Sequence, residues 1–322
     1  GIQSASERSG FGFPNIYSNR YEGFSVVSAL PILYSKNLYS TFLLGYTGNN
    51  GIKTGLESTY KPFKHHEISG FFHSYGKVKP SDGLSYTYTL PINQTKKPLF
   101  SSILSTGKSK SFLEFYVKTF RNHYINYELI DIEPKIGIRF NKLLFPFGFT
   151  YNSEFFNARI TENNFTSHKT ELFNQLKHPL PSFWGFDNEI SLESTLRYYK
   201  NNQKWLQHYA NFYFKNQSKT YQLDISYRKQ LAKNIGSSPF LFDQNTASIN
   251  DEIGLLFSFP VQALRLGTKL DYDLKENKYR NVSYFVDIHL FCSTKLSLNL
   301  NTTWKTFSAN LNFSLDTQFK RN

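Results

Sequence analysis

The chain has no methionine, a single cysteine and no long hydrophobic run. With only Cys292 to supply a thiol, an internal disulfide and any multi-cysteine metal site are excluded. No apolar stretch approaches the roughly 18 residues that a transmembrane helix needs, so a helical membrane protein is excluded too. A nucleophile elbow, a glycine-rich phosphate loop and an HExxH pair are missing. The eight histidines make no metal-ligand spacing, and His65-His66, set in a lysine-rich turn, reads as solvated. No RNP, zinc-finger or helix-turn-helix signature accompanies the formal charge of +13, so nucleic acid has no recognition module here. No catalytic residue, cofactor or metal site is assigned on these grounds.

What the chain does have is aromatic residues and alternation. Aromatics make up 18% of 322 residues, with 32 Phe and 22 Tyr, which suits strands and interfacial girdles. From Phe307 to Leu315 every odd position is apolar and every even one is Ser, Asn or Asp; Thr317 weakens the pattern and Phe319 restores it. A period of two makes one face apolar and the other wet. Similar runs precede it at Ile253–Phe259, Leu264–Leu274, Val282–Leu290 and Leu296–Trp304. Short connectors between them predict an antiparallel meander. A soluble sandwich could hold one or two such strands. Five long ones in a row predict an all-β transmembrane barrel, whose polar inner face also explains a mean hydropathy of −0.45.

Residues 1–20 are polar, with Gly10, Gly12 and Pro14, and read as a lead-in segment or linker. The barrel is predicted over 21–319, with 320–322 as a tail. An exported barrel starting at Gly1 would have lost a signal peptide, with or without a further N-terminal domain. Earlier strands are predicted at Gly23–Leu33, Leu38–Thr47, Ile52–Tyr60, Glu67–Val78, Leu84–Leu90, Leu99–Leu104, Ser111–Thr119 and Tyr124–Ile130. Others follow at Lys135–Phe140, Phe145–Phe155, Ile190–Tyr198, Leu206–Phe214 and Thr220–Tyr227. The total is about 16–18 strands, and closure prefers an even number. The segment Asn157–Asn188, with Pro179, Pro181 and Trp184, reads as a loop, an inward plug or two weak strands. If Phe319 marks the periplasmic rim, the long connector Arg228–Asn250 falls outside and the inner turns near it are short, as in outer-membrane barrels.

Alternation also orients side chains. Leu298 and Leu311 point outward and Asn299 and Asn312 inward. Arg265, Lys269, Asp271, Asp273, Asp287 and His289 all point into the lumen, where the structural reading is a ladder of ion pairs holding the wall. A selectivity role for this lining is the alternative. The positive balance fits anionic lipid headgroups. Closure requires the first strand, near Gly23–Leu33, to pair with Phe307–Phe319. Pro31 has no amide hydrogen to donate and Gly23 has no side chain to pack, so this seam is predicted to be weak, or Pro31 simply ends the strand at a rim.

Certain runs resemble a known family. Tyr272-Asp-Leu-Lys-Glu-Asn277, then Tyr284 and Cys292 before an alternating strand, resembles the end of LptD (OstA-like) barrels. The runs Ser28–Tyr34, Tyr39–Tyr46 and Gly51–Tyr60, with Pro31, Gly55 and Glu57, are similar to their start. The resemblance covers about a third of the chain and departs from the family in its smaller barrel and lone cysteine. It implies an outer-membrane protein that inserts lipopolysaccharide, or another anionic glycolipid, into the outer leaflet. It further implies a lateral seam at Gly23, Pro31, Phe307, Phe313 and Phe319, a lipoprotein plug and a periplasmic bridge as partners, and Cys292 either as a small turn residue or bonded to another domain. A general porin or solute channel, surrounded by outer-membrane lipids, is the alternative the same barrel permits.

Overall fold

The computed structural model describes residues 14–92, 111–125, 128–200, 203–218, 220–247, 251–291, 294–303 and 305–313. Its strands are β1 (Asn15–Asn19), β2 (Gly23–Tyr34), β3 (Leu38–Thr47), β4 (Gly51–Tyr60), β5 (His66–Tyr75), β6 (Ser81–Ile92), β7 (Ser111–Ile125), β8 (Glu128–Leu144), β9 (Thr150–Glu162) and β10 (Phe165–Phe183). They continue as β11 (Phe186–Tyr199), β12 (Lys204–Gln217), β13 (Gln222–Gln230), β14 (Ile235–Gly236), β15 (Asp251–Val261), β16 (Leu264–Asp273), β17 (Lys278–Phe291), β18 (Thr294–Asn301) and β19 (Thr306–Phe313), with one helix, α1 (Leu241–Ala247). Each strand pairs antiparallel with the next, β13 passes directly to β15, and β1 joins β19 to β2. The wall is therefore a closed barrel of 18 strands, with the two-residue β14 lying against β12 as an extra. No helix among the described residues is long and apolar enough to cross a membrane. The strands cross instead, because closure pairs every strand edge and leaves no backbone donor facing lipid.

Register carries one face of the wall around the whole circle. Across the closure, Ser308 pairs with Tyr17, Tyr17 with Ser25, Ser25 with Thr47, and Thr47 with Gly51. On the far side, Arg139 pairs with Glu154, Glu171 with Arg197, and Arg228 with Glu252. This is the polar, inward face. The other face holds the exposed large apolar residues, such as Ile52, Leu56, Phe72, Leu84, Ile136, Phe155, Leu192 and Leu300. Such exposure would aggregate in water and is the required surface in a bilayer.

Several boundaries differ from the sequence expectation. β1 is part of the wall, so the linker assigned to residues 1–20 ends before Asn15. Its five residues alternate too briefly to be recognised without their neighbours. Asn157–Asn188 is neither loop nor plug: it holds the end of β9, all 19 residues of β10 and the start of β11. Pro179 sits within β10 and pairs with Glu189. Predicted strand Tyr124–Ile130 instead covers the end of β7 and the start of β8, and Lys135–Phe140 lies within the single long β8, which carries register shifts. Leu99–Leu104 lies outside the described residues. The wall's 18 strands fall within the expected 16–18, with β1 and β10 among them. Connector length does not distinguish the two rims, since the connector at 231–250 opens on one and that at 93–110 on the other. Strand length does: β9 and β10 run past the apolar band at the rim bearing the 231–250 connector. Their outer faces there carry exposed Asn157, Arg159, Thr166 and His168.

The seam is also different from the one predicted. Gly23–Leu33 does not meet the last strand; β2 pairs with β1 through Val27 and with β3 along its length. Phe307 pairs with Ser18 of β1, and Phe313 with Thr294 of β18. Pro31 lies opposite Thr41, and the register shifts between Pro31 and Leu33, so proline falls at an irregularity on the β3 side. Gly23 has φ +71° and opens β2 after the turn, where a Cβ would meet the Asn49 side chain. Phe319 and Cys292 lie outside the described residues. Among the described residues the β1–β19 ladder has three residue pairs. A polar cluster at the β1–β2 turn ties β1 to β4 and β5 on the other side. Glu22 accepts hydrogen bonds from Lys53 Nζ at 2.7 Å, from Tyr75 Oη at 2.8 Å and from Tyr17 Oη. Burial opposes ionisation of Glu22, but the Lys53 ammonium and the two hydroxyls outweigh it and hold the carboxyl below its ordinary range.

Two outcomes follow for stability. Leu298→Arg puts charge on the lipid face and should cost about 2–4 kcal/mol near mid-bilayer, whereas Asn299→Arg on the inner face should be mild. Heat-modifiable gel mobility and denaturant titration in lipid vesicles read the difference, and equal tolerance would contradict this assignment of faces. Because Glu22 is depressed on folding, its stabilisation is present at neutral pH and disappears as the pH falls through the carboxylate range. Glu22→Gln should therefore be less stable than the parent at pH 7, and the two should converge in acid.

Candidate functional site

The connector between β13 and β15 turns inward rather than out into solvent. β14 adds to β12, with Gly236 opposite Trp205 and Ile235 opposite Leu206. Gly236 has φ +80°, and a Cβ there would stand 1.8 Å from the Lys204 carbonyl oxygen, so the close approach requires glycine. Phe240 and Phe242 then enter an apolar cluster with Tyr116, Ile130, Ile132, Phe156, Ala158, Ile160, Tyr199 and Trp205. Phe240 is fully buried. Burying the two phenylalanines contributes about 3–6 kcal/mol toward holding the connector. Ile130, Ile132, Phe156, Ala158 and Ile160 occupy inner-face positions, so the lumen wall is apolar where the connector covers it.

Charged groups fix the same segment. The Glu162 carboxylate accepts the backbone amides of Leu241 at 2.7 Å and Phe242 at 2.9 Å. Asp243 accepts from Lys169 Nζ at 2.7 Å and from the hydroxyls of Tyr199 and Ser238, each at 3.0 Å. The Lys169 and Asp243 side chains are only 4% and 6% exposed, so breaking this pair would leave a buried charge alone.

An ion-paired wall runs below the connector. Lys169 also meets Glu171 at 2.8 Å, and Arg197 Nε reaches Glu171 at 2.8 Å. Glu154 accepts from Lys135 at 3.3 Å, from Arg139 at 3.1 Å and from Tyr116 Oη. Arg139 extends to Glu114 at 3.3 Å, and Arg228 binds Glu193 at 3.1 Å. Aromatic faces back the cations: Lys135 lies 3.6 Å from the Phe156 ring centroid and Arg228 4.0 Å from that of Tyr209. Gly137 makes one of these contacts possible. A Cβ at Gly137 would fall 2.4 Å from Tyr116 Oη, so tyrosine lies across the bare strand to reach Glu154.

The residues singled out from the sequence sit elsewhere on the inner face, along β16 and β17. Arg265 donates to Ser258 at 3.0 Å and to Gln222 at 2.5 Å, with no carboxylate in the contact. Lys269 and Asp271 are 3.6 Å apart, and Asp271 also accepts from Asn281 at 2.8 Å. Asp273 caps its turn, accepting the amides of Lys275 and Glu276 at 2.9 Å each. Asp287 pairs with Lys295 at 2.8 Å, and His289 is exposed near the rim. These are separate pairs, not a ladder. The larger clusters of shared carboxylates lie on β7 to β13, which the same alternation applied to Glu114–Lys118, Lys135–Arg139 and Lys169–Lys177 would have indicated. No group of three or more His, Cys, Asp or Glu suited to a metal occurs among the described residues.

An apolar exterior, a charged interior and a closed antiparallel wall define a transmembrane β-barrel of the outer-membrane type. No family model matches the chain, and no curated protein matches it. Among solved structures it is similar to OccK11 (OpdR) of Pseudomonas aeruginosa, with TM-score 0.47 and 9% identity over 94% of this chain and 93% of that one. OccK10 (OpdN) of the same organism follows, with TM-score 0.42 and 11% identity over 94% and 98% of the two chains. The alcaligin outer-membrane receptor FauA of Bordetella pertussis has TM-score 0.38 and 9% identity over 93% and 74%. The LptD resemblance does not hold: that barrel has 26 strands and this wall has 18. Lipopolysaccharide insertion through a seam of β2 and β19 fails with it, because β1 separates those strands.

Glu154→Leu should leave Lys135 without its carboxylate and Arg139 with Glu114 alone, and cost about 3–5 kcal/mol. Tyr116→Phe, which removes one hydrogen bond to that carboxylate, should cost about 1.5–3 kcal/mol. Denaturant midpoints in vesicles measure both, and a Glu154→Leu value below that of Tyr116→Phe would contradict the network.

Proposed function

We propose that this protein is a solute channel of the outer membrane whose mouth is narrowed by the connector between β13 and β15. The supporting observation is the asymmetry of the inner wall. The connector is pinned against β8 to β12 by Glu162, Lys169 and buried phenylalanines. The opposite wall, on β17 to β19, carries Asn281, Ser283, Ser297, Asn299, Asn301, Ser308 and Asn310 at inward positions. Hydroxyl and amide groups hydrate a path without binding a solute tightly, which conduction requires. Small polar solutes are the substrate class. The rim bearing the connector faces the outside, since β9 and β10 project beyond the apolar band there.

Planar-bilayer recording of the purified barrel tests this reading. The parent should conduct steadily. Replacing 237–247 by a short glycine-serine turn should raise the unit conductance, and Phe240→Ala with Asp243→Asn should make it noisier. Absence of conductance from both the parent and the shortened chain would rule out a channel.

A further inference from the structure

Outside the barrel, the lipid-facing surface has a groove. Its volume is about 280 Å³, and its walls are Leu56, Tyr60, Ile68, Phe72 and Leu84. Its floor is Gly70 on β5, where a Cβ would meet the Gly83 carbonyl oxygen at 3.3 Å and Leu84 at 3.5 Å. A larger side chain there would have to project into the groove. The opening is a consequence of sequence: Ile68, Gly70 and Phe72 alternate outward, and glycine interrupts an otherwise bulky column.

The groove leads to a basic rim. Tyr60 pairs with Ile68, and the turn at 61–65 follows immediately. Lys61 and Lys64 are exposed there. The Lys61 amide donates to the Asn37 carbonyl at 2.7 Å, which brings the neighbouring turn and its exposed Lys36 alongside. Glu67 engages Lys61 at 3.1 Å. No carboxylate is paired with Lys36 or Lys64 among the described residues. Phe63 is 72% exposed in the same turn, and the His66 ring contacts Tyr86 Oη at 2.8 Å. An apolar slot that opens beside cations and aromatic side chains at the membrane interface has the chemistry of one lipid: acyl chain in the slot, anionic headgroup on the lysines.

We propose that the groove over Gly70 is a binding site for an anionic phospholipid, with the headgroup held by Lys36 and Lys64. The choice of phospholipid over lipopolysaccharide rests on the orientation given above, which puts this rim toward the periplasm and its leaflet of phospholipids.

Native mass spectrometry of the folded barrel, released from mixed nanodiscs of phosphatidylglycerol, phosphatidylcholine and lipopolysaccharide, tests the site. The parent should retain phosphatidylglycerol in preference to phosphatidylcholine. Lys36→Gln and Lys64→Gln should each lower that preference about five-fold. Gly70→Leu should reduce retention of both phospholipids, and heat-modifiable mobility checks that it folds. Equal retention of the two phospholipids, or full retention by Gly70→Leu, overturns the proposal. So does preferential retention of lipopolysaccharide, which would also reverse the orientation. A mass of two or three chains that Gly70→Leu dissociates would make the occupant a second copy. Loss of conductance with retention intact would remove the channel reading and leave this site standing.

Discussion

Closure of the backbone ladder is the constraint on which the rest depends. In hydrocarbon, a single unpaired strand edge leaves a row of amides and carbonyls with no partner, so the wall must complete its circle. Among the described residues the last link of that circle is short. β1 contributes five residues, and only three of them meet β19. The Glu22, Lys53, Tyr17 and Tyr75 cluster at the β1–β2 turn supplies side-chain bonds beside that short ladder. The strand that joins the two ends of the sheet is thus held to β4 and β5 by side chains as well as to β2 and β19 by backbone.

Once the circle is closed, alternation sorts every side chain to lipid or lumen, and the lumen must settle its own charges. On β7 to β13 it does so through shared carboxylates: Glu154 serves Lys135, Arg139 and Tyr116, and Glu171 serves Lys169 and Arg197. Burial raises the cost of leaving any member unpaired, so the network holds neighbouring strands in register. The inward connector uses the same groups. Lys169 belongs to the wall through Glu171 and to the connector through Asp243, so the narrowing of the mouth and the stiffness of the wall are mechanically one feature.

The exterior answers to a different solvent. Its apolar residues are uniform in character but not in size, and the gap over Gly70 beside Lys36 and Lys64 is where that surface departs from a smooth cylinder. Lipids fill such gaps as water fills polar ones.

Sequence alone determined the class of structure, because a period of two is a local property that survives without neighbours: the runs 253–259, 282–290 and 296–300 were legible as strands with known faces. It also determined that Asn299 faces in and Leu298 out. Tertiary structure decided what depends on partners far along the chain. Asn15–Asn19 is a strand only because β2 and β19 flank it. Phe165–Phe183 is one long strand despite Pro179 and Pro181, because β9 and β11 supply the ladder. The connector at 231–250 looked like an outer loop, and nothing local in Phe240 or Asp243 says that Ile160, Tyr199 and Lys169 await them. Strand period is written in adjacent residues; closure, register and inward folding arise from pairings between residues tens to hundreds of positions apart.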